Sequence, residues 1–294
     1  MNKSSQQRCC CGLNKWMEFM KTKLTLTLLA AITCSAGISS AAGVLPHATD
    51  AHTLHLWHLD QTANPLSDSA RSLTLYNWGS RGTFAVDSVA DLNKAYESST
   101  TENSDLQSIG SIGWGAGSMM GADGAFTWEM VLRPDEAANS SAGTQMLMLH
   151  SGNKMQLKMN YAATGYLYLT MWDGVNSVTL FNQRLDVAAL GINQYATDEW
   201  FHLGVTYDGT SAGKVYWTKL GDDYTGTANE LASFSMSDLL PIADATLSFG
   251  AKANLLGSGF NGAIDEIRIS DIGRAADDML SVPPPPTLKL FIQH

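Results

Sequence analysis

Cysteine is confined to the start of the chain. Of 294 residues only Cys9, Cys10, Cys11 and Cys34 are cysteines, and none follows. A domain formed from the remainder has no disulfide, no thiol nucleophile and no cysteine-ligated zinc or iron–sulfur centre. The three adjacent cysteines lack metal-ligand spacing and are not read as a cluster. Charged residues are also sparse, at 16%, and the basic ones are the scarcer, 18 against 28 acidic. Long apolar runs are missing; the longest, Leu24 to Ile32, is too short to span a bilayer. Gly-x-Ser-x-Gly, His-Glu-x-x-His and phosphate-loop patterns are absent as well.

What is present begins with the anatomy of a secretory signal. Met20 to Ala42 has a basic start at Lys21 and Lys23, an apolar run, and small residues at Ser40, Ala41 and Ala42. Met20 is then an alternative start codon to Met1, with residues 1–19 an upstream extension. Thr33 before Cys34 departs from a lipoprotein signal, so simple cleavage is the expectation. Residues 1–42 hold five of the basic residues and one of the acidic ones, so cleavage leaves 13 against 27, a net charge of −14. A surface this acidic repels nucleic acid and anionic lipid. It is compatible with neutral glycans and divalent cations. The expected division is 1–42 extension and signal, 43–281 one domain, and 282–294 a proline-rich tail with Pro283 to Pro286 as a stiff stretch.

The 45% hydrophobic content and frequent glycine (26 residues) suit one large domain of short strands and tight turns. The period-2 pattern is clear from residue 126. Phe126, Trp128, Met130 and Leu132 alternate with Thr127, Glu129 and Val131. Met155, Leu157 and Met159 alternate with Gln156, Lys158 and Asn160. Phe201, Leu203, Val205 and Tyr207 alternate with His202, Gly204 and Thr206. Further strands are expected at His52–Leu59, Gln145–Leu149, Tyr166–Met171, Ser177–Phe181, Lys214–Lys219, Ala245–Phe249 and Phe260–Ser270. Two short strands are expected within residues 80–111. Helix-like stretches are limited to Asp186–Leu190, Ser237–Leu240 and Ala275–Leu280. This pattern predicts an all-β fold of two packed antiparallel sheets.

Four segments carry a family resemblance. They are Leu56-Trp57-His58-Leu59-Asp60 with Asp68-Ser69, Ala125 to Glu136, Trp200 to Gly209, and Phe260 to Ile269. In this order they resemble the concanavalin A-like, laminin-G-like jelly-roll domains of secreted bacterial proteins, over about residues 50 to 280. The resemblance implies a two-sheet antiparallel jelly-roll sandwich. It also implies non-catalytic binding of glycan or another extracellular polymer at a cell surface or in matrix, often with a structural calcium ion. Some relatives of the sandwich are glycoside hydrolases, and others bind proteins, so both remain alternatives.

The candidate site residues fall into two groups. Alternation puts Asp265 on the face of Ile267 and Ile269, and Asp60 at the end of the Leu54/Leu56 face; a carboxylate there needs a partner or a metal. Asp60, Asp265 and Asp68 are therefore candidate oxygen ligands for one Ca²⁺, against the alternative that they accept backbone hydrogen bonds. Trp78, Trp114, Trp172 and Tyr161 lie in or beside expected loops, where aromatic faces can stack on sugar rings. His52, His55 and His58 alternate faces on a strand and are read as ordinary histidines. A glycosidase needs two carboxylates flanking one bond, and no closely spaced pair on one strand face is present, so no enzyme is expected.

Overall fold

The computed structural model describes residues 43–78, 82–98, 105–137, 143–150, 154–161, 166–172, 176–221, 224, 226–236, 244–250 and 259–280. The signal segment, the proline-rich tail and the helix expected at Ser237–Leu240 lie outside them. Among the described residues, fifteen strands form two antiparallel sheets. In chain order they are β1 (Thr53–Trp57), β2 (Leu75–Trp78), β3 (Thr83–Asp87), β4 (Lys94–Ser98), β5 (Asp105–Ser108), β6 (Phe126–Pro134), β7 (Thr144–His150) and β8 (Met155–Asn160). They continue as β9 (Tyr166–Trp172), β10 (Ser177–Arg184), β11 (Phe201–Tyr207), β12 (Ala212–Lys219), β13 (Glu230–Ser235), β14 (Leu247–Phe249) and β15 (Gly262–Ser270).

One sheet runs β13-β12-β11-β6-β15-β4-β3, with β1 also paired to β15; the other runs β10-β9-β8-β7-β14-β5-β2. They pack face to face as an antiparallel sandwich, as the alternation predicts, in the jelly-roll architecture the resemblance implies. The alternating residues meet between them. Phe126 stacks on Trp128 with ring centroids 3.9 Å apart, and Phe201 on Trp217 at 4.4 Å. Met155, Leu157 and Met159 join the same core with Leu167, Leu169 and Phe249. Each such fully buried side chain contributes roughly 1.5–3 kcal/mol by leaving water.

The eight-stranded sheet is buried on its outer face as well. Residues 43–50 and 274–280 lie over it, bringing Val44 and Leu280 against Val131, and Met279 against Tyr216. Gly204 allows that approach, since a Cβ there would stand 3.0 Å from the Met279 sulfur. Burial on two faces explains why β6, β11 and β15 are buried almost throughout.

Several expectations are corrected. The stretch 80–111 holds three strands, β3, β4 and β5, rather than two, and β13 is an additional strand without a clear apolar alternation. Asp186–Leu190 gives way to a short 3-10 helix at Ala188–Asn193, and Ala275–Leu280 forms turns. In β15, alternation breaks at a bulge between Asp265 and Arg268, where Glu266 has φ of 45°. One extra residue reverses the facing on either side. Ile264, Ile267 and Ile269 therefore point into the core, while Asp265 does not share their face.

Candidate functional site

The outer face of the seven-stranded sheet is partly open: along its central row Tyr76 and Thr179 are exposed and Gln107 and Gln156 half-buried, while Ser248, Leu149 and Thr170 are buried. Strand register carries one row of side chains across all seven strands: Tyr76, Gln107, Ser248, Leu149, Gln156, Thr170 and Thr179. At about 4.8 Å per strand step the row is about 29 Å long. The next rows place Lys158 opposite Tyr168 and Asn160 opposite Tyr166, then Asn182 and Arg184 beyond them on β10. These residues face outward because their strand neighbours Leu157, Met159, Leu167 and Leu169 are committed to the core.

Tyr166 and Tyr168 form a tilted aromatic pair with centroids 5.8 Å apart. The Lys158 ammonium lies 5.9 Å from the Tyr168 centroid and donates to Gln156 Oε1 at 3.2 Å. Partial burial lowers its pKa from the ordinary lysine value. Arg184 lies 5.9 Å from the Tyr166 centroid and pairs with Asp186 at 2.9 Å. Among the described residues, three buried polar atoms on this face have no hydrogen-bond partner: Thr170 Oγ1, Asn160 Oδ1 and Ser248 Oγ. Such groups cost stability unless something outside the chain satisfies them. The face thus joins aromatic surface, hydroxyl and amide groups, and a cation.

The aromatics nominated by the sequence separate. Trp78 is 58% exposed on the edge strand β2, with Tyr76 two residues away on the same face and Ile109 nearby in sequence to its partner strand. Trp114 and Tyr161 are corrected as ligand contacts, because both are buried in the inter-sheet core. Trp114 packs against Trp128 and His150, with centroids 5.6 and 5.3 Å away. Tyr161 is fully buried, its hydroxyl 3.3 Å from that of Tyr195. Trp172 closes β9; its side chain lies outside the described residues. The sequence reading missed Tyr166 and Tyr168. Their signal was the alternation of tyrosine with leucine in Tyr166-Leu167-Tyr168-Leu169, which puts both rings on one non-core face.

Of the three aspartates, Asp60 and Asp265 lie near enough for their charges to interact, while Asp68 is engaged by His55 and backbone amides. Asp68 accepts from the amides of Leu56, Ala70 and Arg71 through Oδ1, and lies 2.7 Å from His55 Nδ1 through Oδ2. Burial works against its charged form, but His55 and the amides outweigh it and lower its pKa. Asp60 accepts from the Lys94 amide. Asp265, fully buried, accepts from the Ser88 hydroxyl and the Glu266 amide. Burial, with the charges of Glu266 and Asp60 nearby, pushes its pKa well above the usual carboxylate range. Among the described residues no group of three or more His, Cys, Asp or Glu side chains is placed to hold a metal.

Comparison with solved structures finds the same sandwich fold in other proteins. The receptor-binding domain of botulinum neurotoxin D matches with a TM-score of 0.53 and 14% identity, over 78% of this chain and 51% of that one. The type G receptor-binding domain matches equally, at 0.53 and 14%, over 78% and 50%. The serotype D ligand-binding domain in complex with N-acetylneuraminic acid gives 0.54 and 12%, over 78% and 49%. The chain therefore spans about half the length of these domains, and what it shares with them is the fold. No family model and no curated protein matches it.

Proposed function

We propose that this protein is a secreted, non-catalytic, laminin-G-like module that binds carbohydrate along the outer face of its seven-stranded sheet. The observation that carries the reading is the Tyr166/Tyr168 pair beside the unpartnered Thr170 and Asn160 side-chain oxygens. Stacking surface next to buried polar groups without partners is what a pyranose ring, apolar on its faces and hydroxylated at its rim, complements. Trp78 and Tyr76 extend the aromatic surface at the far edge. That a domain of the same fold has been solved in complex with N-acetylneuraminic acid is in keeping with a sugar ligand. The non-catalytic reading is supported by the buried acids Glu129 and Glu266, which face basic partners.

Affinity electrophoresis against a panel of soluble polysaccharides tests the reading, with wild type and Tyr168→Ala compared. Retardation of wild type that Tyr168→Ala abolishes is expected. Free migration through every polysaccharide would overturn it.

A structural calcium is retained in the proposal with only two protein carboxylates, Asp60 and Asp265, which form no ion pair among the described residues, whereas Asp68 already pairs with His55. Burial is the main cause of the raised Asp265 pKa, and a cation between Asp60 and Asp265 would offset it together with the smaller repulsion from Asp60. The melting temperature in calcium against EGTA should then differ, and the difference should vanish in Asp265→Ala. An unchanged Tm removes calcium from the account.

A further inference from the structure

The polar character of the open face does not by itself distinguish neutral from charged sugars, but one cation on it does. The protein is rich in carboxylates, and most described cations have one. Lys94, Lys214, Lys219, Arg133 and Arg184 all meet an aspartate or glutamate within 3.2 Å. Lys158 does not. Its contacts are the Gln156 amide oxygen and the Tyr168 ring, and among the described residues no carboxylate reaches it. It is partly buried, so its ammonium has given up part of its hydration without gaining a counter-charge.

We propose that the ligand is an acidic polysaccharide, whose anionic group pairs with Lys158 while the sugar ring lies on Tyr168. This deepens the carbohydrate reading and rests on it. A second observation, independent of the charge, marks the same place as a contact surface. Thr170, 6% exposed and opposite Gln156 in the register, sits two residues from Tyr168 on the same face and leaves Oγ1 without a protein partner. A hydroxyl that can donate to a carboxylate or accept from a sugar hydroxyl thus lies beside the cation. Arg184, beyond Tyr166 and already paired with Asp186, adds positive charge at the same end of the sheet.

The negative charge of the whole chain does not forbid this. Exposed charges beyond about 8–10 Å are largely screened at physiological ionic strength, whereas a partly desolvated contact pair is screened much less. Overall acidity slows the approach of an anionic polymer, and the local cation decides its grip.

Matched polymers separate the charge from the sugar: polygalacturonate against its methyl ester, and dextran sulfate against dextran. Kd is measured for wild type, Lys158→Gln, Lys158→Arg and a control, Lys219→Gln, each first shown to melt like wild type. Wild type and Lys219→Gln should bind at least one acidic form about tenfold or more tightly than its neutral partner. Lys158→Gln should lose that preference while keeping its affinity for the neutral form, and Lys158→Arg should keep most of it. Which acidic member binds distinguishes carboxylate from sulfate. Equal binding of acidic and neutral forms by wild type overturns the inference and leaves the carbohydrate reading intact. A preference that survives in Lys158→Gln overturns the assignment to this lysine. Polyglutamate binding as tightly as the acidic polysaccharide overturns the sugar part, and no binding to any polysaccharide overturns both readings.

Discussion

Arg268 and Glu129 meet 2.6 Å apart beneath the N- and C-terminal segments, and both are almost wholly buried. The guanidinium also donates to the carbonyls of Asp278 and Met279. His202 Nε2 lies 3.2 Å from the other Glu129 oxygen. Burial alone would raise the Glu129 pKa, but Arg268 and the two histidines His47 and His202 overcome it and hold the carboxylate ionised far below its usual range. The pair ties the central strands β6 and β15 to the C-terminal segment. Arg268→Met leaves a charge buried without its partner and should cost about 3–5 kcal/mol, whereas the double variant with Glu129→Met should recover much of that loss. Urea unfolding of the two variants checks it; equal stability of single and double variants would contradict the pairing.

Two histidines in this region bias stability in opposite directions with pH. His47 is fully enclosed, and desolvation holds its pKa well below the ordinary value despite the attraction of Glu129. A lowered folded pKa contributes stability above the unfolded value of about 6.5 that is lost as pH falls. His58 is raised, chiefly by its 2.6 Å contact with Glu266. It contributes stability below about 6.5 that is lost as pH rises through its folded pKa. Melting curves from pH 5 to 8 should therefore show His47→Asn flattening the acid limb and His58→Asn flattening the alkaline one. The reverse pattern would show the two assignments to be wrong.

Asp265 is buried beside two other acids, so in EGTA its charge is a liability. A raised carboxyl pKa contributes stability at low pH that is lost as pH rises past the unfolded value. Asp265→Asn keeps the shape, keeps an acceptor for the Ser88 hydroxyl, and removes the charge. At pH 8 in EGTA its Tm should exceed that of wild type, with the difference narrowing towards pH 4. A lower Tm at pH 8 would mean that the ionised form is the stabilised one.

Much of the fold was legible because alternation reports burial on one face. β6, β8 and β11 follow it, with Phe126, Met155 and Phe201 in the core as their period demands. It failed where a second influence entered. The bulge at Glu266 turned Asp265 away from the isoleucines, and no pattern in Ile264 to Ile269 announces an extra residue. Leu54 and Leu56 misled likewise, since the register of β1 shifts between Thr53 and His55 and brings Trp57 into the core. The glycine-rich surroundings of Trp114 suggested an open loop, but the loop folds that ring onto Trp128. Loop composition tells where the backbone turns, not which way a large side chain goes. Lys158 was visible as a strand residue, while its lack of a carboxylate depended on contacts between strands that are distant in sequence.

Trp78 and Trp114 looked alike in the sequence and should now behave in opposite ways. Trp78→Ala removes an exposed ring and should change stability by no more than about 0.5 kcal/mol. Trp114→Ala empties a core position and should cost about 3–5 kcal/mol. Denaturant midpoints of the two variants measure this directly. A large loss in Trp78→Ala would place that ring in the core instead.

The length of the open face sets the last expectation. Tyr168 on β9 and Trp78 on β2 are five strand steps apart, about 24 Å. A short oligosaccharide seated on Tyr168 cannot also touch Trp78, whereas a polymer lying across the strands can. Tyr168→Ala should therefore weaken binding of short and long ligands alike. Trp78→Ala should leave short oligosaccharides unaffected and weaken only ligands long enough to reach the edge strand, since the second contact is then made within one bound chain. A length series of one polysaccharide, titrated calorimetrically against both variants, gives the comparison. If Trp78→Ala weakens the shortest ligand as much as the longest, the two aromatics belong to one compact site and the ligand does not run across the strands.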